Sequence, residues 1–267
     1  MENYKHAPKI SISGLLKKIA VILILVYVGF GLLLFVSQNQ FIYYPSSQDF
    51  NTCQQFSDSE KININGTRAY YKNISEKLIV FYHGNEGSAC DRDFLKDCFS
   101  NLGYSSIFVE YAGYSNDVRK SSQKALMQDV ENINNFIKIS GYTELVIAGE
   151  SLGASLASYH SSIANEDKLL LIAPFYSLKD LARSHYPVYP VSWMLFDKYE
   201  SHHWLNDIRQ VEIIHGNTDT IIPMTESKRL FSEIITENKK YSEISGSNHN
   251  DLYDYPETFS ALSAFLR

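Results

Sequence analysis

Three cysteines in 267 residues, Cys53, Cys90 and Cys98, are too few and too irregularly spaced for a disulfide framework or a zinc site. Free thiols, packed or partly exposed, are the expected state, because free cysteine is among the most buried residue types. A single bridge is the alternative if the body faces an oxidising space. Basic charge is also scarce: 24 Lys and Arg stand against 30 Asp and Glu, a net charge of -6. No Lys/Arg run interleaved with aromatics lies beyond the first residues, so nucleic acid is not an expected partner. His202-His203 is the one adjacent histidine pair, and without a carboxylate at ligand spacing it predicts no metal site. Internal repeats and low-complexity tracts are lacking too. With 45% hydrophobic and 20% charged residues, the chain can bury a sizeable core and does not have the composition of a disordered segment.

One long stretch carries no charge at all. Ile19 to Val36 is apolar throughout, and at about 1.5 Å per helical residue it spans roughly a 27 Å hydrocarbon core. This predicts a transmembrane helix at 19–36. Lys5, Lys9, Lys17 and Lys18 precede it, whereas Asp49, Asp58 and Glu60 follow it. The positive-inside rule then keeps the tail, 1–18, in the cytoplasm and puts the body, 37–267, on the extracytoplasmic side. A cleavable signal peptide is the rival, but its apolar region is usually shorter and no small-x-small cleavage signal follows Val36 clearly.

The body reads as one α/β domain of about 230 residues. Asn65-Gly66 sits between two alternating stretches and predicts a β-hairpin. Strands then alternate with helices: strands near 77–82, 105–111, 145–148, 168–173, 211–214 and 241–244, and helices near 89–101, 121–139, 154–163 and 226–235 with a closing helix from Pro256. That rhythm predicts a mostly parallel sheet with helices on both faces and an antiparallel hairpin at its start. Residues 176–210 exceed an ordinary connection and hold Tyr186, Tyr189, Trp193, Met194, Phe196, Tyr199 and Trp204. They suit a small cap over an active-site mouth and suit equally an excursion packed on the body's own core.

Gly149-Glu150-Ser151-Leu152-Gly153 fits G-x-S-x-G, follows the apolar strand Leu145-Val146-Ile147-Ala148, and opens a helix rich in small residues. A sharp strand-to-helix turn needs glycine on both sides of the nucleophile, because a Cβ there would collide with neighbouring backbone. The turn would present the Ser151 hydroxyl at the positive end of a helix. A serine hydroxyl is a poor nucleophile at neutral pH and needs a base oriented by a carboxylate. After the elbow, the acid should precede the histidine. Asp219 falls in the loop after the strand at 211–214, and His249 falls in the loop after the last strand, where a doubly wound sheet places its site. Of eight histidines, only His249 has that order and position; Asp251 and Asp254 are the nearest rivals to Asp219. For the oxyanion, the backbone N–H of Leu152 and one from the turn His83-Gly84-Asn85-Glu86-Gly87 are the candidate donors, Asn85 first and Glu86 second.

With Phe41-Ile42-Tyr43-Tyr44-Pro45 after the apolar helix, His83-Gly84-Asn85, Glu110-Tyr111-Ala112-Gly113-Tyr114-Ser115, the GESLG elbow, Tyr186-Pro187-Val188-Tyr189-Pro190-Val191, His215-Gly216 with Asp219, and His249-Asn250-Asp251, the chain resembles the α/β-hydrolase superfamily. In particular, it resembles the branch of small membrane-anchored hydrolases with one N-terminal helix. Glu110, Ala112 and Ser115 depart from that branch's usual pattern. The resemblance implies an α/β-hydrolase fold and hydrolysis of an ester or thioester through an acyl-enzyme by Ser151, Asp219 and His249, without metal or organic cofactor. A tether in a bilayer points to acyl-chain or other apolar small-molecule substrates. Peptidase or amidase activity on the same fold, and a hydrolase-fold binding protein without chemistry, are the alternatives; the latter requires none of the three residues.

Overall fold

A computed structural model describes residues 12–164, 168–205 and 208–267. Residues 1–11 of the predicted tail and 206–207 of the predicted insertion lie outside the described residues. The chain divides into two compact units at Gln38/Asn39. The first is dominated by helix α1 (Ile12–Ile42), longer than the predicted 19–36 at both ends. It is long and apolar enough to cross a membrane, with a mean hydropathy of 3.0 in its most apolar window. Leu23, Ile24, Leu25 and Val26 are all exposed. Successive helical residues turn by about 100°, so these four leave no polar face, unlike an amphipathic surface helix.

The second unit is an α/β body. Its strands are β1 (Tyr44–Pro45), β2 (Glu60–Ile64), β3 (Thr67–Lys72), β4 (Lys77–Tyr82), β5 (Glu86–Gly87), β6 (Ser105–Glu110), β7 (Glu144–Glu150), β8 (Lys168–Ile172), β9 (Gln210–Gly216) and β10 (Lys239–Ile244). Its helices are α2 (Asp93–Asn101), α3 (Gln123–Lys138), α4 (Leu152–Ala164), α5 (Leu178–His185), α6 (Val191–Met194), α7 (Met224–Glu233) and α8 (Pro256–Leu266). The described residues form an eight-stranded sheet in the order β10-β9-β8-β7-β4-β6-β3-β2. The β2–β3 and β3–β6 pairings are antiparallel and the rest parallel. The expected hairpin is present, turning on Asn65 and Gly66, both with positive φ.

Period-two alternation divides each central strand between two cores. Leu78, Val80 and Tyr82 of β4 join Leu126, Val130 and Ile133 of α3 and Leu156 of α4 on one face. Ile79 and Phe81 join Leu95 and Phe99 of α2 and Leu262 and Phe265 of α8 on the other. Both faces of β4, β6 and β7 are buried, which accounts for the unbroken apolar runs at 78–82, 107–109 and 145–148 within them. Side chains of this size contribute about 1.5–3 kcal/mol each when fully buried.

The long 176–210 segment forms α5, α6 and a short 3₁₀ turn at Ser201–Trp204. Its two ends pack on the body: Tyr199 and Leu181 are buried, and Ser201 Oγ lies 2.8 Å from Ser155 Oγ on α4. Its middle is open, with Val188, Trp193 and Phe196 exposed. The aromatics of the segment are thus divided, with Tyr199 buried at one end and Trp193 and Phe196 exposed in the middle.

The cysteines depart from expectation. Cys53 and Cys90 form a disulfide, their Cα atoms 6.1 Å apart, and Cys98 alone is a free thiol among the described residues. The sequence conceals this pairing because the fold brings a loop before β2 against the start of the α2 region, across a separation of 37 residues. Closing a loop of that length stabilises by roughly 2–4 kcal/mol. A Cys90→Ser variant is therefore expected to unfold at a lower urea midpoint by a corresponding amount, and thiol titration of the unreduced, unfolded wild type should find Cys98 only.

Candidate active site

Strand β7 runs through Gly149 and Glu150, and α4 begins at Leu152, so the entire change of direction falls on Ser151. Its φ is 52°, a left-handed value that is strained for a residue with a side chain. The strain is held by what surrounds it. Ser151 N–H donates to the Ile172 carbonyl of β8 at 2.8 Å, and the Ser151 carbonyl accepts from Ala154 N–H at 3.0 Å. A Cβ on Gly149 would collide with the Gly153 carbonyl, and one on Gly153 would collide with the Tyr82 and His83 carbonyls. The two glycines thus allow strand, helix and the end of β4 to meet closer than any side chain permits.

Three loops from separate strands converge here. Ser151 Oγ lies 3.1 Å from His249 Nε2, and His249 Nδ1 lies 2.6 Å from Asp219 Oδ2. The three predicted residues therefore form one hydrogen-bonded line across 98 residues of sequence. Asp219 Oδ1 accepts from the Ile221 and Ile222 N–H groups at 2.9 and 2.8 Å. Burial works to raise the Asp219 carboxyl, but hydrogen bonds from His215 and His249 outweigh it and hold the group well below the usual carboxylate range. The acid rival Asp251 is occupied elsewhere: its Oδ1 accepts from Ser247 Oγ and Asn248 N–H, shaping the turn that presents His249. The Asp219 and His249 loops are also joined directly, by Thr218 N–H to the Ser247 carbonyl at 3.0 Å and Thr220 N–H to Asn248 Oδ1 at 3.3 Å.

The fourth loop, after β4, carries Asn85. Its carbonyl accepts from Tyr44 N–H at 3.0 Å and Tyr114 Oη at 2.7 Å, and its Nδ2 donates to the Ile42 carbonyl at 3.0 Å. β1 pairs with β5 here in a two-residue parallel ribbon that sequence patterning did not reveal. Leu152 sits at the first position of α4, where a helix leaves N–H groups without intrahelical acceptors.

Residues outside the sequence-derived set complete the site. Glu150, beside the nucleophile candidate, is buried and bridges three loops: its carboxylate pairs with Arg92 and accepts from Gly84 N–H at 3.3 Å and Tyr253 Oη at 2.7 Å. Burial works to raise its carboxyl, and the Arg92 charge holds it below the ordinary range instead. His215, fully buried, places Nε2 at 3.1 Å from Asp219 Oδ2. In the sequence it stood out only through His215-Gly216 with Asp219, among the features of the resemblance. His202 is engaged in stacking on Tyr176, ring centroids 4.1 Å apart. Among the described residues, no three His, Cys, Asp or Glu side chains are arranged to hold a metal ion.

A Pyrococcus furiosus esterase structure superposes with a TM-score of 0.66 at 17% identity, covering 83% of this chain and 98% of that one. A Paleococcus ferrophilus monoacylglycerol lipase superposes at 0.58 and 16%, covering 75% and 98%. The fold is the α/β-hydrolase fold. No family model matches the sequence. Among curated proteins, the chain is 27% identical to an uncharacterized protein of Mycobacterium tuberculosis over 94% of its own length and 95% of the relative's. It is also 27% identical to the lysophosphatidylserine lipase ABHD12 of Danio rerio over 72% of its length. It spans 59% of that lipase, little more than half.

Gly153→Ala is the sharpest check of the elbow. Because the added Cβ meets fixed backbone rather than a movable side chain, the variant is expected to lose about 1–3 kcal/mol or more in urea unfolding.

Proposed function

We propose that this α/β-hydrolase is a serine hydrolase that cleaves ester or thioester bonds of acyl substrates through an acyl-enzyme. The observation that carries the proposal is the line Ser151 Oγ, His249 Nε2, His249 Nδ1, Asp219 Oδ2, assembled from three loops at strand ends. His249 Nε2 takes the Ser151 proton as Oγ bonds to the acyl carbon; the same proton then goes to the departing alcohol or thiol as the carbonyl re-forms. Water, deprotonated by His249, repeats the attack and releases the acid. Asp219 holds the imidazole tautomer and stabilises its charge. The backbone N–H groups of Leu152 and Asn85 are assigned to the oxyanion, Leu152 at the positive end of α4 and Asn85 in a loop braced by Tyr44, Tyr114 and Ile42. No step needs a metal or an organic cofactor.

The substrate class is assigned to single-chain acyl lipids. Supporting this are the likeness to a lysophosphatidylserine lipase and to a monoacylglycerol lipase, together with exposed apolar residues of the 176–210 segment acting as a cap. Helix α1 is assigned as an uncleaved bilayer anchor, with residues 1–18 cytoplasmic and the body extracytoplasmic. The lysines before the apolar run support that orientation, as does the buried Cys53–Cys90 bridge, since disulfides persist mainly in oxidising spaces.

Full-length protein in detergent should label with a fluorophosphonate probe, and Ser151→Ala should not; equal labelling of the two would sink the enzyme assignment. In a panel of lysophospholipid, monoacylglycerol, acyl thioester and aminoacyl amide, the lipid esters should be turned over fastest, with Ser151→Ala reduced by roughly 10³-fold or more. Faster turnover of the amide would instead identify a peptidase. As His249 loses its proton, kcat/KM should rise with pH along a single acid limb, because Asp219 is already ionised there; a flat profile from about pH 5 to 8 would count against a histidine base.

A further inference from the structure

His215 is a buried side chain at the site that the proposed chemistry leaves without a task. It lies at the end of β9, fully buried, with Nε2 3.1 Å from Asp219 Oδ2 and 3.0 Å from the Ile222 carbonyl oxygen. Both neighbours are acceptors, so Nε2 carries the proton and donates to them. His215 Nδ1 is buried and has no hydrogen-bond partner among the described residues. Asp219 consequently receives four N–H groups: Ile221 and Ile222 on Oδ1, His249 and His215 on Oδ2. That is about the full acceptor capacity of a carboxylate. Two imidazoles therefore share one oxygen, and only one of them faces Ser151.

We propose that His215 is a positioning residue. Its Nε2–H, anchored by the Ile222 carbonyl, locks the Asp219 carboxylate in the rotamer that faces His249 and draws off part of its negative charge. This limits how strongly Asp219 stabilises the His249 imidazolium and keeps the base free to turn over. The other titratable groups near this end of β9 have other partners, among them His185 of α5, whose Nε2 lies 3.0 Å from the Ile221 carbonyl oxygen. Tyr241 of β10 bonds Ser227, Glu243 of β10 pairs with Lys228 of α7, and Glu226 of α7 accepts from Tyr176 N–H. Among the described residues none of these groups bonds Asp219 or His215, so the effect is assigned to His215 itself.

The proposal rests on the Ser151–His249–Asp219 assignment and is tested apart from it by comparing wild type, His215→Phe and His215→Gln in full-length protein. Phenylalanine keeps the ring volume and removes the donor; glutamine restores an N–H donor. Proton NMR of the His249 Nδ1–H resonance reads the Asp219 pair whether or not the protein is an enzyme. Its titration midpoint should move to higher pH by about half a unit or more in His215→Phe, because an undiluted carboxylate favours the cation, and should return toward wild type in His215→Gln. The acid limb of kcat/KM should move in parallel, with kcat down roughly tenfold in His215→Phe, KM little changed, and recovery in His215→Gln. If His215→Phe melts well below His215→Gln, both are compared below the lower melting transition. Coincident NMR titrations in all three proteins would overturn the proposal. A moved NMR titration in a protein whose wild type hydrolyses nothing would uphold the His215 contact and defeat the enzyme assignment instead.

Discussion

The close approach of backbone at the β7–α4 turn is the constraint on which the rest of the site depends. Gly149 and Gly153 remove the two Cβ atoms that would hold β7, α4 and the end of β4 apart. Ser151 is left to make the whole reversal at a positive φ. A residue in that conformation costs on the order of 1–3 kcal/mol. The cost is offset by the fully buried parallel strands on either side, whose apolar side chains order the turn from both faces of the sheet. Relaxing the turn would withdraw Ser151 from His249 and would also loosen the loop after β4 that rests against it.

Around this turn the polar groups are satisfied in a way that ties loops together. Glu150 joins the elbow to the loop after β4, to Arg92 near the start of α2, and to Tyr253 beyond the His249 loop. Asp219 collects donors from its own turn and from two histidines. Buried carboxylates are costly unless paired and hydrogen-bonded. Here each is, and in both cases the surrounding charges and donors overcome burial to keep the group ionised. The disulfide adds a covalent restraint close by, since Cys90 lies between the loop after β4 and Arg92.

Much of this was legible in the sequence because it depends on local order. Strand and helix periodicity along 77–266 marked the main elements to within a few residues. The elbow was recognisable because glycine spacing around a serine has one stereochemical use after a buried strand. The order of Asp219 and His249 after the elbow singled them out among the acids and histidines, and the structure places both in line with Ser151. Glu150, Arg92, Tyr253 and the β1–β5 ribbon escaped, because each acts through partners dozens of residues away, and two-residue strands have no periodicity to detect.

What the sequence by itself determined was the apolar N-terminal helix, the alternation of elements and the identity of the three aligned side chains. Each of these follows from composition, period or order along the chain. Only the tertiary structure decided which cysteines pair, that Glu150 is a bridge, that the 176–210 segment buries its ends and exposes its middle, and that His215 shares the Asp219 oxygen with His249. Those features depend on which loops the sheet order β10-β9-β8-β7-β4-β6-β3-β2 brings side by side. Adjacency across a sheet is set by packing of the two cores, not by distance in sequence.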